Sequence, residues 1–289
     1  MKPAPFEYAA PNTVGEAVAL LAKSDEDETK ILAGGQSLMP LINMRLARPQ
    51  LLVDLSRIED LAYIREIDGG LAIGAMTTKR DLEEAPIVQQ RHALLHASTV
   101  AIGHPQIRNR GTVGGSMAQA DPAAEYPAVA LALDAELVAT GPDGERTIPA
   151  EDFFITYLTT DLAPGEILTE IRVPELAAGT GWGFEEVARR HGDFAMVGAV
   201  ALMRVEGGVA ADTRIVLFGV ADRPLRVTDA EDRVNGQTPG PEVYGLAADA
   251  VADAIEDPIT DVHGGEEYRR DLARVLTRRV LGEAAGRAG

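Results

Sequence analysis

The chain has 289 residues, 46% of them apolar, which is enough for a sizeable buried core and for one large or two ordinary domains. Its 27 Lys and Arg against 45 Asp and Glu leave a formal charge of -18, a solvated acidic surface that repels polyphosphate backbones and excludes nucleic acid as a partner. The absence of cysteine excludes a disulfide, an iron–sulfur cluster and a thiolate zinc site within the chain; without a basic-then-apolar leader or an apolar window of spanning length, a cytoplasmic location with no membrane insertion is expected.

In chain order, Thr13-Val-Gly-Glu16 has the form of a capping box. Val14, Ala17, Val18 and Leu21 at helical spacing predict a short helix, closed by the acidic stretch Ser24 to Glu28. A β-prone run, Lys30 to Ala33, breaks at Gly34-Gly35; a helix is expected over Leu38 to Leu46 with Pro40 in its first turn, then a buried strand over Leu51 to Leu55. Asp68-Gly69-Gly70, between Ala62 to Ile67 and Leu71 to Ala75, predicts a tight hairpin. Thr77-Thr78 can cap a helix carrying Asp81 to Glu84, and an apolar helix follows over Ala93 to Ile102. Gly111 to Ser116 reads as a glycine-rich loop between apolar helical segments.

A second hairpin turns at Gly141-Pro-Asp-Gly144, between Glu136 to Thr140 and Glu145 to Ile148, and a strand from Glu166 to Val173 ends at Pro174. The small-residue run Leu176 to Gly181 is read as a linker, with a surface loop inside one domain as the alternative. It divides the chain into 1–176, with subdomains of about 1–55 and 56–176, and 177–289. Strands over Gly183 to Ala188, Met196 to Val205 and Ala210 to Val220, the last two joined at Glu206-Gly207-Gly208, precede helices over Val243 to Ile255 and Tyr268 to Leu281.

Two glycine-centred segments carry the chemical signal: Lys30-Ile31-Leu32-Ala33-Gly34-Gly35-Gln36-Ser37, where a strand meets a helix, and Thr112-Val113-Gly114-Gly115-Ser116. An anion needs backbone N–H groups with no Cβ in the way, and a helix N-terminus adds partial positive charge. Gly34, Gly35, Gly114 and Gly115 meet that need; Ser37, Thr112 and Ser116 add hydroxyl donors, and paired loops suit a pyrophosphate. A lone Gly-Gly is more often a plain tight turn. Neither segment matches G-x-G-x-x-G or the nucleotide P-loop, so residue chemistry alone stops at an anion or nucleotide site. His92 and His96, spaced i, i+4, lack a third ligand, and neither a metal nor a catalytic nucleophile or base is assigned. Arg45 and Arg48 read as a solvated helix end in preference to a docking or phosphate contact, and Asp121 as an Asx turn.

The run Ala33-Gly-Gly-Gln-Ser-Leu-Met-Pro-Leu-Ile-Asn-Met-Arg-Leu-Ala-Arg-Pro49, with His104-Pro-Gln-Ile-Arg-Asn-Arg-Gly-Thr-Val-Gly-Gly-Ser116 and Asp121-Pro-Ala-Ala-Glu-Tyr-Pro127, resembles the FAD-binding medium subunit of the carbon monoxide dehydrogenase and xanthine dehydrogenase family. Pro164 to Pro174 and Arg189-Arg-His-Gly-Asp-Phe194 extend the resemblance over the whole length. It implies an α+β fold: a vanillyl-alcohol-oxidase (PCMH)-type FAD domain of two subdomains, then a smaller domain with a three-stranded antiparallel sheet and helices. It further implies that Lys30 to Ser37 wrap a noncovalent FAD pyrophosphate from one side and Thr112, Val113, Gly114, Gly115 and Ser116 from the other. Ile102 and Leu168 would touch the flavin, and Glu125, where relatives usually hold aspartate, would reach the cofactor's hydroxyls. Phe194 stands where relatives often carry tyrosine beside the isoalloxazine, Gln36 where some carry histidine, and Glu185 where some carry a lysine whose contact does not carry over.

The implied function is electron relay within a molybdenum hydroxylase. The molybdenum cofactor would sit in a large partner subunit and two-iron iron–sulfur clusters in a small one, with the FAD passing electrons to an external acceptor. A self-sufficient FAD-dependent oxidoreductase and a cofactor-free interaction protein are the alternatives. The first would need catalytic groups over the flavin, in which the region after 180 is poor; the second would purify colourless.

Overall fold

The computed structural model describes residues 2–23 and 28–289; all but Glu28 of the acidic stretch expected to close the first helix therefore lies outside the described residues. The chain begins with β1 (Glu7–Ala9), α1 (Val14–Leu21), β2 (Thr29–Leu32), α2 (Leu38–Asn43) and β3 (Leu51–Asp54). The strands form a parallel sheet in the order β1-β3-β2. Parallel pairing requires crossovers, which α1 and α2 help to supply, so the carboxyl end of β2 opens into a connection free to adopt a special conformation. Thr13 Oγ1 accepts from the Glu16 N–H at 3.1 Å and the Glu16 carboxylate accepts from the Asn12 N–H at 2.8 Å, so the box closes on the residue before the cap. α2 stops at Asn43 and not at Leu46, because Arg45 takes a left-handed φ of 60° and the N–H groups of Arg45 and Leu46 turn back to the carbonyls of Ile42 and Leu41.

Next come β4 (Ile64–Ile67), β5 (Gly70–Gly74), α3 (Lys79–Glu84), α4 (Pro86–Arg91), α5 (Ala93–Ala101), α6 (Pro105–Arg108), α7 (Val113–Gln119) and α8 (Glu125–Ala132). They are followed by β6 (Glu136–Gly141), β7 (Gly144–Pro149), α9 (Ala150–Phe153), β8 (Phe154–Thr156), β9 (Thr159–Thr160) and β10 (Ile167–Pro174). Both expected hairpins form, and an antiparallel sheet assembles in the order β4-β5-β10-β6-β7. Thr78 caps α3, its Oγ1 accepting from the Asp81 N–H at 3.0 Å. Gly111 to Ser116 is not the loop its composition suggests. Thr112 caps α7 and Gly114-Gly115 form its first turn, because tertiary hydrogen bonds hold the chain there against the end of β5. The short helix α4 has no counterpart among the sequence-based expectations.

The chain closes with β11 (Gly181–Val187), β12 (Val197–Glu206), β13 (Val209–Phe218), β14 (Leu225–Arg226), α10 (Thr228–Val234), α11 (Pro241–Ala254) and α12 (Glu266–Arg287). The expected three-stranded sheet is β11-β12-β13, extended by the two-residue β14. Gly207 and Gly208, at φ 59° and 86°, make the β12–β13 turn. Strand alternation gives this sheet two apolar faces. Ala199, Ala201, Ile215 and Leu217 pack on Leu276, Val280 and Ala284 of α12, whereas Val200, Leu202, Val216 and Phe218 join the core that holds Leu94, Tyr126, Val129 and Leu137. Residues before and after the Leu176–Gly181 segment thus share one apolar core. No helix among the described residues is long and apolar enough to cross a membrane.

α12 seats on β11 because Gly181 and Gly183 present no Cβ where the helix backbone of Ala284 and Val280 lies. Gly183→Val is expected to force this contact apart and to cost about 1–3 kcal/mol or more, as overpacking does. An unchanged urea unfolding midpoint would show that the seating is not tight.

Candidate cofactor-binding site

A cavity of about 950 Å³ lies between the first sheet, the α6–α8 segment and β10, at the large end of the ~300–1,000 Å³ typical of ligand sites. The carboxyl end of β2 and the following turn supply Lys30, Ile31, Ala33, Gly34, Gly35, Gln36 and Ser37. Thr112, Gly114, Gly115 and Ser116 form the facing wall; Ile102, Glu125, Leu168 and Phe194 also line it. Leu32 and Val113 do not line the cavity but stand behind its walls. Val113 is buried, and Leu32 reaches within 3.2 Å of where a Gly35 Cβ would stand.

The two glycine segments touch. A Cβ on Gly34 would collide with the Arg110 carbonyl and lie 2.8 Å from the Gly111 Cα, and a Cβ on Gly114 would lie 2.7 Å from the Ala75 carbonyl oxygen. Gly35 holds φ +74°, a left-handed conformation that costs other residues about 1–2 kcal/mol. The segments then differ chemically. The N–H groups of Val113, Gly114, Gly115 and Ser116 are taken by Thr77 O, Ala75 O, Thr112 Oγ1 and Thr112 O. Those of Gly34, Gly35, Gln36 and Ser37 have no acceptor among the described residues. The anion-binding capacity that sequence chemistry assigns to both segments therefore resides, as free backbone donors, in the β2–α2 turn. Gly114 is glycine because the wall must reach Ala75, and Ser116 still lines the cavity.

Titratable groups in and beside the cavity are displaced by burial. Glu125, at 4% exposure, is pushed up to about 7, chiefly by loss of solvent and against the pull of Lys79. Lys79, 7% exposed and also on the wall, is pulled down to about 8 by desolvation against the attraction of Glu125. Asp121 is raised by burial although its Oδ1 accepts from the Ala123 N–H at 2.9 Å, the expected Asx turn. Behind the wall, Glu186 is raised to about 8 by burial and by Glu125, and its Oε2 is buried with no hydrogen-bond partner among the described residues. Sequence reasoning missed Lys79 and Glu186. Each is a single charged residue in an otherwise ordinary element, and its burial depends on segments distant in the chain.

Phe194 is 60% exposed at the cavity mouth and is not packed into the core. Glu185 pairs with Arg279 at 2.5 Å, away from the cavity. Arg45 and Arg48 bond the carbonyls of Lys2 and Arg45 at an exposed helix end. His92 stands at the N-cap of α5 with φ −126°, just outside the helix that carries His96.

A βαβ-type crossover sheet, a hairpin-built sheet and a cavity with an unsatisfied glycine turn between them define a nucleotide-cofactor-binding protein. The family of the FAD binding domain in molybdopterin dehydrogenase matches residues 4–176, and that of the CO dehydrogenase flavoprotein C-terminal domain matches 182–284. The carbon monoxide dehydrogenase medium chain of Hydrogenophaga pseudoflava is 43% identical over 99% of both chains. The 6-hydroxypseudooxynicotine dehydrogenase complex subunit alpha of Paenarthrobacter nicotinovorans is 41% identical over 100% of this chain and 97% of its own. The solved carbon monoxide dehydrogenase from Hydrogenophaga pseudoflava lacking the Mo-pyranopterin moiety superposes with TM-score 0.97 at 44% identity, covering 100% of each chain. The chain belongs to the family of FAD-binding medium subunits of molybdenum-containing dehydrogenases, and is an oxidoreductase subunit with FAD as its cofactor.

A carboxyl held near 8 in the fold and at its ordinary 4.5 when unfolded binds its proton more tightly folded; its contribution to stability is complete below 4.5 and lost as pH rises through 8. The urea-measured stability of the cofactor-free chain is therefore expected to decline from about pH 5 to pH 8, with Glu125 contributing over the lower part. Glu186→Gln should flatten that decline by at most about 1.4 kcal/mol per pH unit. Parallel curves for the two proteins would refute the shift.

Proposed function

We propose that this chain holds one FAD noncovalently and relays electrons from iron–sulfur clusters of a small partner subunit to an external acceptor, within a complex whose large subunit carries the molybdenum cofactor. The observation that carries the reading is the β2–α2 turn: four successive N–H groups without an acceptor among the described residues, at the wall of a cofactor-sized cavity. Such a turn supplies donors to a pyrophosphate at no cost in reorganisation.

In this reading Lys30 to Ser37 cradle the pyrophosphate. Thr112, Gly114, Gly115 and Ser116 form the opposite wall, Ile102 and Leu168 touch the ring system, Glu125 accepts from cofactor hydroxyls, and Phe194 stands as an aromatic wall at the mouth. Bound flavin supplies the exchange between two-electron and one-electron chemistry; the protein supplies binding, orientation and tuning of potential. A chain without cysteine must receive electrons from clusters held elsewhere. The relatives named above as a medium chain and as a subunit of a dehydrogenase complex support the multi-subunit setting. No membrane insertion and no nucleic acid enter this scheme, and a cytoplasmic site of action accords with it.

The test is the absorbance spectrum of the chain co-purified with its candidate molybdenum and iron–sulfur subunits, beside Gly35→Val. Flavin bands together with iron–sulfur absorbance are expected, with the flavin lost selectively in the variant. Valine at φ +74° would strain the turn and press on Met39 and Leu32. A single yellow chain that turns over substrate without partners would instead establish the self-sufficient oxidoreductase.

A further inference from the structure

Lys79 is the first residue of α3, and it faces inward. Its backbone N–H bonds the Gly111 carbonyl at 2.8 Å, which draws the side chain along the glycine corner. A Cβ on Gly111 would stand 3.5 Å from Lys79 Cδ and 3.5 Å from Gln36 Cγ, so the aliphatic stem runs beside the β2–α2 turn. The ammonium ends 5.6 Å from the centre of the Tyr126 ring, within the field of Glu125 and opposed by Arg108. Arg108 is itself satisfied: it pairs with Glu83 at 2.8 Å and donates to the Ile102 carbonyl at 3.1 Å.

Among the described residues Lys79 Nζ has neither a salt bridge nor a hydrogen-bond acceptor, although the side chain is more than nine-tenths buried and lies on the cavity wall. Lysine is almost never buried unless paired, because an ammonium stripped of water and given no partner destabilises the fold. Beside it the Gly34 to Ser37 amides are also unsatisfied. The shared deficit of a cation and a row of N–H donors describes an anion. The rest of the wall is acidic, with Asp121, Glu125, Glu166 and Asp193, and its other basic residue, Lys30, is exposed.

We propose that Lys79 is a cofactor-anchoring residue whose ammonium reaches a phosphate oxygen of the FAD pyrophosphate, completing the anion site that the Gly34 to Ser37 amides begin. The inference rests on the reading of this cavity as the FAD site. It assigns the buried lysine a role that costs stability in the empty protein and is recovered on binding. It also accounts for how a strongly acidic chain accommodates a doubly charged pyrophosphate beside Glu125.

The experiment uses the full chain and its Lys79→Met and Lys79→Arg variants, freed of cofactor, with three readouts: FAD affinity by flavin fluorescence, melting temperature without FAD, and midpoint potential of the bound flavin. Lys79→Met should weaken FAD binding by about 10- to 100-fold, the range of one charge-assisted hydrogen bond. It should also leave the empty protein as stable as the original or more stable, since a buried unpaired charge is replaced by an isosteric apolar chain. Lys79→Arg should restore most of the affinity, and the potential should not move, because the phosphates are remote from the redox-active ring. Unchanged affinity in Lys79→Met overturns the proposal. So does weakened binding accompanied by a lower melting temperature, which marks a structural role, or by a shifted potential, which marks contact with the ring. If the unsubstituted chain binds no FAD, it is the reading of the cavity that fails.

Discussion

The site depends on backbone meeting backbone without an intervening Cβ. Gly34 lies against Arg110 and Gly111, while Gly114 lies against Ala75, so the turn after β2, the α6–α7 corner and the end of β5 meet at one place. Hydrogen bonds lock the arrangement: Val113 N–H to Thr77 O, Gly114 N–H to Ala75 O and Lys79 N–H to Gly111 O. Close-packed interiors transmit small displacements, so a methyl group at either glycine would separate two cavity walls and not merely perturb one loop. The glycines are thus needed first for construction, and only those of the β2–α2 turn also leave donors free.

Charge around this junction is arranged against the chain's average. With a net charge of -18, the protein repels anions at long range, yet it presents free amides and a buried lysine to the cavity. Short-range donors in a dry site outweigh a distant field screened by salt over a Debye length of about 8–10 Å. The same burial displaces Glu125, Glu186 and Lys79 from their ordinary protonation ranges. Glu125 links them, since its charge attracts the Lys79 ammonium and opposes ionisation of Glu186.

The C-terminal sheet is more than an appendage. Its second face supplies Val200, Leu202, Val216 and Phe218 to the core shared with Tyr126 and Val129 of α8, whose first residue is Glu125. The loop between β11 and β12 brings Phe194 to the cavity mouth. Packing of the late sheet therefore positions elements of a site whose glycine turns come from the first half of the chain.

What could be read from the chain was whatever short-range chemistry determines. Thr13 and Thr78 cap helices, Asp68-Gly69 and Gly207-Gly208 turn hairpins, and Gly34-Gly35 follows a strand, because each depends on neighbours within a few residues. Family resemblance added the FAD assignment, which residue chemistry alone left at an anion or nucleotide site. Local reasoning failed where the deciding partner is distant. Gly111 to Ser116 looked like a loop, but Thr112 with the carbonyls of Ala75 and Thr77 makes it a helix start. Lys79 carries no signal in its own neighbours, and its burial appears only where Gly111, Tyr126 and Glu125 close around it. By itself the sequence determined the turns, the caps and the existence of two glycine segments. Only the tertiary structure decided which segment keeps its N–H groups free and which charges lose their water, because hydrogen-bond occupancy and desolvation are properties of what surrounds a residue in space.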